Sequence, residues 1–273
     1  MQTATPPHVA LPAEKQEARE APQNRTRQDH ADPLDRLIVE LDFPSAVAAT
    51  HMVDQLQGTC RWFKVGMELY YAAGNSIIQQ LLARDFKVFL DLKLHDIPNT
   101  VAGAVRSVTG TGASLLTVHA GGGAHMMRAA AQAASLPGAP DLLAVTVLTS
   151  MDAAELAGVG VPVDMNSTDP VQSQVLRLAS LAQTSGINGL VCSAEEVAAV
   201  RQAMGSGARL VVPGIRLTLP GGAETRDDQR RVATPAQAIA RGASMLVVGR
   251  PITQAADPAE AAAAILAEIQ TTA

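Results

Sequence analysis

Residues 87–100, KVFLDLKLHDIPNT, contain a complete passage from a β-strand to a helix. The run 87–93 is mostly apolar and rich in residues that favour strands, so we expect a strand there. Because side chains alternate between the two faces of a strand, Asp91 and Lys93 should point to the same side, about two residue rises apart. The strand therefore ends in two opposite charges that lie close together.

The exit from this strand adds a third charge, Asp96, in the turn that follows. Pro98 disfavours helical geometry in the residue before it, so the chain should be extended there. Asn99 or Thr100 can then cap a helix that begins near Val101. Three charges at the exit of a strand are unfavourable unless they pair or take part in chemistry. An ion-paired cluster that only closes the end of a barrel is the alternative interpretation.

The same alternation of strand and helix recurs along the chain. Ala-rich segments of helical character separate apolar, strand-like runs. The strand-like runs are residues 37–41, 62–66, 87–93, 115–119, 142–148, 189–192, 210–212 and 245–248. Eight such units in about 240 residues predict a single α/β domain, a (β/α)8 TIM barrel. A doubly wound sheet is the rival fold, but no Gly-rich dinucleotide fingerprint follows the first strand.

Composition sets the outer limits of the interpretation. The 273 residues are 47% hydrophobic and carry a net charge of −5, so a sizeable core is expected and binding to nucleic acid or an anionic membrane is not. No run approaches the roughly 18 apolar residues of a membrane helix. Two distant cysteines, Cys60 and Cys192, suggest reduced thiols in a cytoplasmic protein. Residues 1–33 lack any hydrophobic period and predict a flexible N-terminal extension to the barrel domain, 34–273.

Polar residues stand at the carboxyl ends of the predicted strands, where barrels of this kind place their active sites. Asp42 ends the first strand in VELDFP, and Lys64 lies within the second in WFKVG. A lysine in a barrel strand needs a partner at the mouth, because burying an unpaired charge is unfavourable. A purely structural pair of Lys64 with Asp91 is one interpretation, and an active site that includes both is the other.

The loops after the seventh and eighth strands predict a phosphate site, since barrels frequently bind phosphate there. These loops begin VVPGIR and LVVGRP, so each places a glycine shortly before an arginine. Gly214 and Gly249 allow backbone N–H groups to approach a ligand closely. Arg216 and Arg250 can make paired hydrogen bonds to phosphate oxygens. Two ordinary surface arginines after tight turns are the alternative.

The run DLKLHDIPNT resembles the signature of the orotidine 5′-monophosphate decarboxylase family, in its bacterial type, and GIR, DDQRR and VVGRPIT resemble that family too. The resemblance implies decarboxylation of orotidine 5′-monophosphate to uridine 5′-monophosphate in de novo pyrimidine biosynthesis. It also implies Lys93 as the proton donor to carbon 6, with no metal or organic cofactor. His95 and His119 lack partners at metal-ligand spacing and are interpreted as structural.

Two other functions stay open at this point. The D-x-K-x-x-D core alone also occurs in related sugar-phosphate lyases, so a lyase or aldolase that uses a divalent metal is one alternative. A barrel that binds nucleotide without turning it over is the other.

The resemblance implies a role for each matching residue. The catalytic residues would be Lys93, Asp91, Asp96 and Lys64. Substrate contacts would come from Asp42, Lys64, Thr100, Thr149, Arg216, Gln229, Gly249 and Arg250. A homodimer is implied, in which Asp96 and Thr100 contribute to the partner's site. The segment 217–228 is a few residues longer than the family pattern, and Leu217 stands where proline is expected.

Overall fold

The computed structural model of the chain describes residues 32–162, 169–216 and 233–272. Nearly all of the predicted N-terminal extension lies outside this range, and so do the segment 217–228 and Gln229. The described residues include every predicted strand and all the other predicted site residues.

Eight parallel strands close into a barrel, in which each strand pairs with the next along the chain and the last pairs with the first. The strands are β1 (Leu37–Glu40), β2 (Trp62–Gly66), β3 (Lys87–Leu94), β4 (Leu115–His119), β5 (Asp141–Val145), β6 (Gly189–Val191), β7 (Arg209–Val212) and β8 (Met245–Val248). The predicted TIM barrel is confirmed. The predicted end of the fifth strand at residue 148 was wrong, because residues 147–149 all face one cavity and no longer alternate.

Helices cover the outside of the barrel. They are α1 (Ala46–Gln55), α2 (Met67–Ala73), α3 (Asn75–Leu82), α4 (Pro98–Thr109), α5 (Gly123–Ala133), α6 (Ala153–Gly158), α7 (Pro170–Thr184), α8 (Val197–Met204), α9 (Pro235–Ala240), α10 (Arg250–Thr253) and α11 (Pro258–Thr272). Within the described ranges, no helix has the length and apolar character needed to cross a membrane.

The start of α4 differs from the prediction. Ile97 is extended, with φ −58° and ψ 152°, as expected before a proline, but the helix begins at Pro98 without a side-chain cap. The prediction that Asn99 or Thr100 caps a helix near Val101 was therefore wrong. The fixed φ of proline suits the first helical position, and its missing N–H is not needed there.

The wall of the barrel divides the core into an outer cluster, under the helices, and an inner one. The inner cluster consists of Ile38, Trp62, Phe89, Leu115, Leu143, Val211, Met245 and Val247. On β1 to β4, each inward apolar residue of this cluster is followed two positions later by a polar residue. Because side chains alternate along a strand, these four polar side chains also point into the barrel. This set, Glu40, Lys64, Asp91 and Thr117, is called the polar layer below. It lies above the apolar cluster, towards the carboxyl ends of the strands.

A separate charged cluster around Asp35 lies at the amino ends of the strands. Lys87 Nζ and Trp62 Nε1 each lie 3.0 Å from Asp35 Oδ1, and Arg61 Nη1 lies 2.5 Å from Oδ2. Burial opposes ionisation, but hydrogen bonds from Lys87 and Trp62 and the charge of Arg61 lower the pKa of Asp35 overall. Since barrel active sites lie at the opposite end, this cluster serves the structure.

Candidate active site

A cavity of about 310 Å³ opens at the carboxyl ends of the strands. The side formed by β1 to β3 is charged and presents Glu40, Asp42, Lys64, Asp91 and Lys93. The side formed by β5 to β8 is mainly apolar and presents Val145, Val191, Pro213 and Val247. An enclosed space of this size with a few converging polar groups is typical of a site for a small molecule.

Lys64 is the buried centre of the charged side. Its ammonium forms an ion pair with Glu40, lies 3.2 Å from Asp91 Oδ2 and lies 3.7 Å from Asp42 Oδ1. Burial alone would lower the pKa of Lys64, but Glu40, Asp91 and Asp42 together raise it above its ordinary range. The lysine is therefore a fixed cation at neutral pH, and the prediction that it needs a carboxylate partner at the mouth is confirmed.

Asp91 links the two lysines. Lys93 Nζ lies 2.8 Å from Asp91 Oδ2, the same oxygen that Lys64 approaches, while the Thr117 hydroxyl donates to Oδ1 at 2.9 Å. Burial opposes ionisation of this carboxyl, but the charges of Lys64 and Lys93 and their hydrogen bonds lower its pKa. Asp91 is thus an ionised carboxylate, held on both oxygens.

Lys93 takes its position from an irregularity in β3. The register against β4 passes from Leu90 opposite Leu116 to Leu94 opposite Val118, so β3 contains two extra residues there. Lys93 has a φ of 49°, which is rare for a residue with a side chain. Bulges of this kind occur next to active sites, where they redirect a side chain. Asp91 and Lys93 do meet, as expected, but through this bulge rather than through regular alternation.

The Thr117 hydroxyl holds this bulge in place. It accepts a hydrogen bond from the Lys93 backbone N–H at 2.8 Å and donates its own proton to Asp91. Thr117 has no exposed surface, so water cannot replace either bond. One buried hydroxyl therefore connects the backbone of Lys93 to the carboxylate that its side chain contacts.

Asp42 lies at the rim of the cavity. Burial raises the pKa of Asp42 to about 6; Lys64 opposes this rise, and Glu40 and Asp91 add to it. Its side chain is 57% exposed, so water screens part of the effect of these neighbours. Gly66 leaves room for the pair, because a Cβ there would stand 3.1 Å from Asp42 Oδ1 and 3.2 Å from Lys64 Nζ.

Five of the predicted site residues meet in this cavity: Asp42, Lys64, Asp91, Lys93 and Thr149. The first four surround the ion pairs, and Thr149 follows β5 on the opposite side. Strands that end at one rim of a barrel bring together residues that are far apart in sequence.

Asp96 and Thr100 do not line the cavity of this chain. Both are exposed, Asp96 just beyond β3 and Thr100 in the first turn of α4. Asp96 Oδ1 accepts a hydrogen bond from the Ile97 N–H at 2.6 Å. Ile97 is itself 67% exposed although it is apolar.

The two predicted phosphate loops lie at the same end of the barrel. Gly214, with φ 77°, follows β7 and turns the chain towards Arg216, whose backbone pairs with Ala233. Gly249 follows β8 and precedes Arg250, an exposed residue at the start of α10. Neither arginine lines the cavity as the described residues form it.

The two histidines stack beside the site. The rings of His95 and His119 lie 5.2 Å apart with an angle of 9° between their planes, and the Gly121 N–H donates to His119 Nδ1. Burial lowers the pKa of His119, as do His95 and Lys93. Among residues 32–162, 169–216 and 233–272, no group of three or more His, Cys, Asp or Glu side chains could hold a metal ion.

Sequence reasoning missed two members of the polar layer, Glu40 and Thr117. Glu40 stands two residues before Asp42 in the VELDFP run, opposite Lys64 in the register of β1 with β2. Thr117 stands in the middle of β4, where a threonine is an ordinary strand residue. Alternation from the apolar residues Ile38 and Leu115 could have placed both side chains inside the barrel.

The fold and the cavity together define a TIM-barrel enzyme with a network of lysines and carboxylates at the carboxyl ends of its strands. The model of the orotidine 5'-phosphate decarboxylase / HUMPS family matches residues 35–265, and the chain belongs to that family.

Individual relatives agree with this assignment. A protein of Halorhodospira halophila named orotidine 5'-phosphate decarboxylase is 52% identical over 235 residues, which cover 86% of this chain and 95% of that protein. One of the same name from Anaeromyxobacter dehalogenans is 51% identical and is covered to 98% of its length, again with 86% of this chain. The crystal structure of orotidine 5'-phosphate decarboxylase from Lactobacillus acidophilus superimposes with a TM-score of 0.73, at 38% identity, over 86% of this chain and 98% of that one.

Proposed function

We propose that the chain decarboxylates orotidine 5′-monophosphate to uridine 5′-monophosphate in pyrimidine biosynthesis. The observation that carries the proposal is the cluster of Lys64, Asp91 and Lys93 on the floor of the cavity, with 3.2 Å and 2.8 Å between the lysine nitrogens and one oxygen of Asp91. The names of relatives about half identical in sequence point to the same reaction. A cytoplasmic location would suit this reaction and stays a prediction.

The chemistry needs a cation and a proton at one carbon atom. When the bond to the carboxylate breaks, its electron pair stays on carbon 6 in the plane of the ring, where the ring delocalises it poorly. In our proposal the Lys93 ammonium stabilises this charge and then transfers a proton to carbon 6. Two opposite unit charges about 4 Å apart attract by about 4 kcal/mol at an effective dielectric constant of about 20.

Asp91 has the complementary role in this proposal. It is ionised, because its pKa is lowered, and it is fixed by Lys64, Lys93 and Thr117. Placed beside the substrate carboxylate, it repels that group in the ground state and repels it less as carbon dioxide leaves. The apolar wall of Val145, Pro213 and the neighbouring valines suits uncharged carbon dioxide better than a carboxylate.

The remaining predicted contacts bind parts of the substrate that do not react. We assign the ribose to Asp42 and Lys64, and the base to Thr149. The phosphate group would be bound by Arg216, Gln229, Gly249 and Arg250. Binding energy from such a remote group can close a site around the reacting atoms.

We also propose that two chains share their sites as a homodimer. The exposed Asp96 and Thr100, next to the 67% exposed Ile97, would be covered by the partner and would reach the partner's Lys93. In a two-fold dimer each chain lends and borrows the same residues.

Mixing two inactive variants, Lys93→Ala and Asp96→Ala, tests the shared site. In a mixed dimer one site collects both defects and the other has neither. Random exchange of equal amounts makes about half of the dimers mixed, so roughly a quarter of all sites should regain activity. If the subunits demonstrably exchange and activity stays at the level of the parents, Asp96 serves its own chain.

The function itself is tested by the fall in orotidylate absorbance with purified protein, with and without EDTA. Decarboxylation that EDTA does not affect is the expected result. A metal-dependent lyase or aldolase would leave orotidylate unchanged and act on a sugar phosphate only with its metal. A barrel that only binds nucleotide would give calorimetric binding without any change in absorbance.

A further inference from the structure

Glu40 is a charged member of the polar layer to which no role has been assigned above. It is the last residue of β1 and stands opposite Lys64 in the register of β1 with β2. Its carboxylate forms an ion pair with the Lys64 ammonium, and its side chain lines the cavity while only 23% exposed. Glu40 therefore acts on the site through Lys64.

The same side chain extends to the other neighbour of β1, which is β8. A Cβ atom at Gly249 would stand 2.7 Å from Glu40 Oε2, so the carboxylate in its present position occupies space that glycine leaves open. Gly249 immediately precedes Arg250, the arginine assigned to the phosphate group. Glu40 thus lies between the buried lysine and the loop that begins with Gly249.

The two lysines of the site share one carboxylate oxygen. Lys64 and Lys93 both approach Asp91 Oδ2, at 3.2 Å and 2.8 Å, and the next carboxylate, Asp42, lies 3.7 Å from Lys64. Glu40 gives Lys64 a carboxylate of its own on the side of β1, in addition to the oxygen that it shares with Lys93. The cluster has three carboxylates for two ammonium groups, and this excess of negative charge disfavours an anionic ligand. Binding such a ligand therefore depends on where the ammonium groups are held.

We propose that Glu40 is a positioning residue for nucleotide binding: its contact, together with that of Asp91, fixes the Lys64 ammonium where the substrate meets it. This inference rests on the proposed function, because it takes a phosphorylated nucleoside as the ligand. It concerns the affinity of the site rather than the chemical step, since Glu40 pairs with Lys64, whereas Lys93 pairs with Asp91.

Three proteins test the proposal: the wild type, Glu40→Gln and Glu40→Met. Glutamine keeps an oxygen that accepts a hydrogen bond from Lys64, whereas methionine has a similar length and no such acceptor. Glu40→Met should raise KM at least about tenfold, the effect expected from losing a hydrogen bond to a charged group, with kcat within about threefold. Glu40→Gln should restore KM to within about threefold of the wild type.

Other results would overturn the proposal. An unchanged KM in both variants, an equal rise in both, or a lower kcat at unchanged KM would each remove Glu40 from the positioning of Lys64. Thermal unfolding of each protein shows whether it is folded, and Glu40→Ala replaces Glu40→Met if the latter is not. Calorimetric titration with uridine 5′-monophosphate measures the same comparison without turnover. A wild type that binds this nucleotide but does not decarboxylate orotidylate contradicts the proposed function alone.

Discussion

Replacing Thr117 by valine should separate the position of Lys93 from its charge. The change keeps the size of the side chain and removes the hydroxyl. That hydroxyl accepts the Lys93 N–H at 2.8 Å and donates to Asp91 Oδ1 at 2.9 Å. Since Thr117 is fully buried, valine leaves a backbone donor and a carboxylate oxygen without these partners.

The expected effect on stability follows from those two bonds. An unsatisfied buried group costs about 1 to 3 kcal/mol, so the two groups left without partners should lower the free energy of unfolding by about 2 to 6 kcal/mol. For a chain of this size, each kcal/mol corresponds to about 2 to 4 °C in Tm. Tm should therefore fall by at least about 4 °C while the protein stays folded at 25 °C.

The effect on catalysis should be larger. Lys93 has a left-handed φ of 49°, a conformation that costs about 1 to 2 kcal/mol and that the bond to Thr117 helps to stabilise. When that bond is absent the bulge can relax, and a shift of about 1 Å in a reacting group can reduce the rate about 100-fold. We expect kcat to fall by that order, with KM nearly unchanged.

The control is Thr117→Ser, which keeps the hydroxyl and should recover kcat to within about tenfold of the wild type, or about 1.4 kcal/mol of barrier. The hydrogen bond from Thr117 also helps to lower the pKa of Asp91, so Thr117→Val should move the acidic limb of the rate profile to higher pH. Steady-state kinetics from pH 4 to 8 measures both effects. A valine variant with reduced Tm but wild-type kcat would refute the role assigned to Thr117 in holding Lys93.

Three further predictions concern the charged groups. Lys93→Ala should abolish decarboxylation while calorimetry still detects the product nucleotide, and turnover within about tenfold of the wild type would remove Lys93 from the mechanism. Arg250→Ala should cost about 1.5 to 3 kcal/mol in kcat/KM for orotidylate and far less for orotidine without its phosphate; equal losses would assign Arg250 to the structure. The pKa of Asp42 is about 6 in the native protein, against an ordinary value of 3.8. Ionisation of this carboxyl therefore reduces stability progressively as the pH rises from about 4 to 6. Asp42→Asn should therefore raise Tm at pH 7.5 but not at pH 3.5. The rise should be at most about 2 to 4 °C, because water screens a half-exposed group. The same change in Tm at both pH values would contradict the raised pKa.

Much of the fold could be predicted because its signals are local. Each strand is a short apolar run, and eight such runs that alternate with helices predict the closed parallel barrel that the structure contains. Asp42, Lys64, Asp91 and Lys93 could be placed in one site by the same logic, because every parallel strand ends at the same rim. Pro98 misled the interpretation of α4 because a proline both ends an extended segment and starts a helix.

The features that sequence reasoning missed depend on contacts between strands. The bulge at Lys93 exists because four residues of β3 span the distance that two residues of β4 span, and no single run reveals such a mismatch.

Glu40 and Thr117 belong to the site because each stands two residues beyond an inward apolar residue, next to Lys64 or Asp91 on the neighbouring strand. A lysine and an aspartate buried at adjacent strand ends require further partners, since two cations on one carboxylate oxygen repel each other. The search for those partners should therefore begin at the same inward position of the strands on either side, which here are β1 and β4.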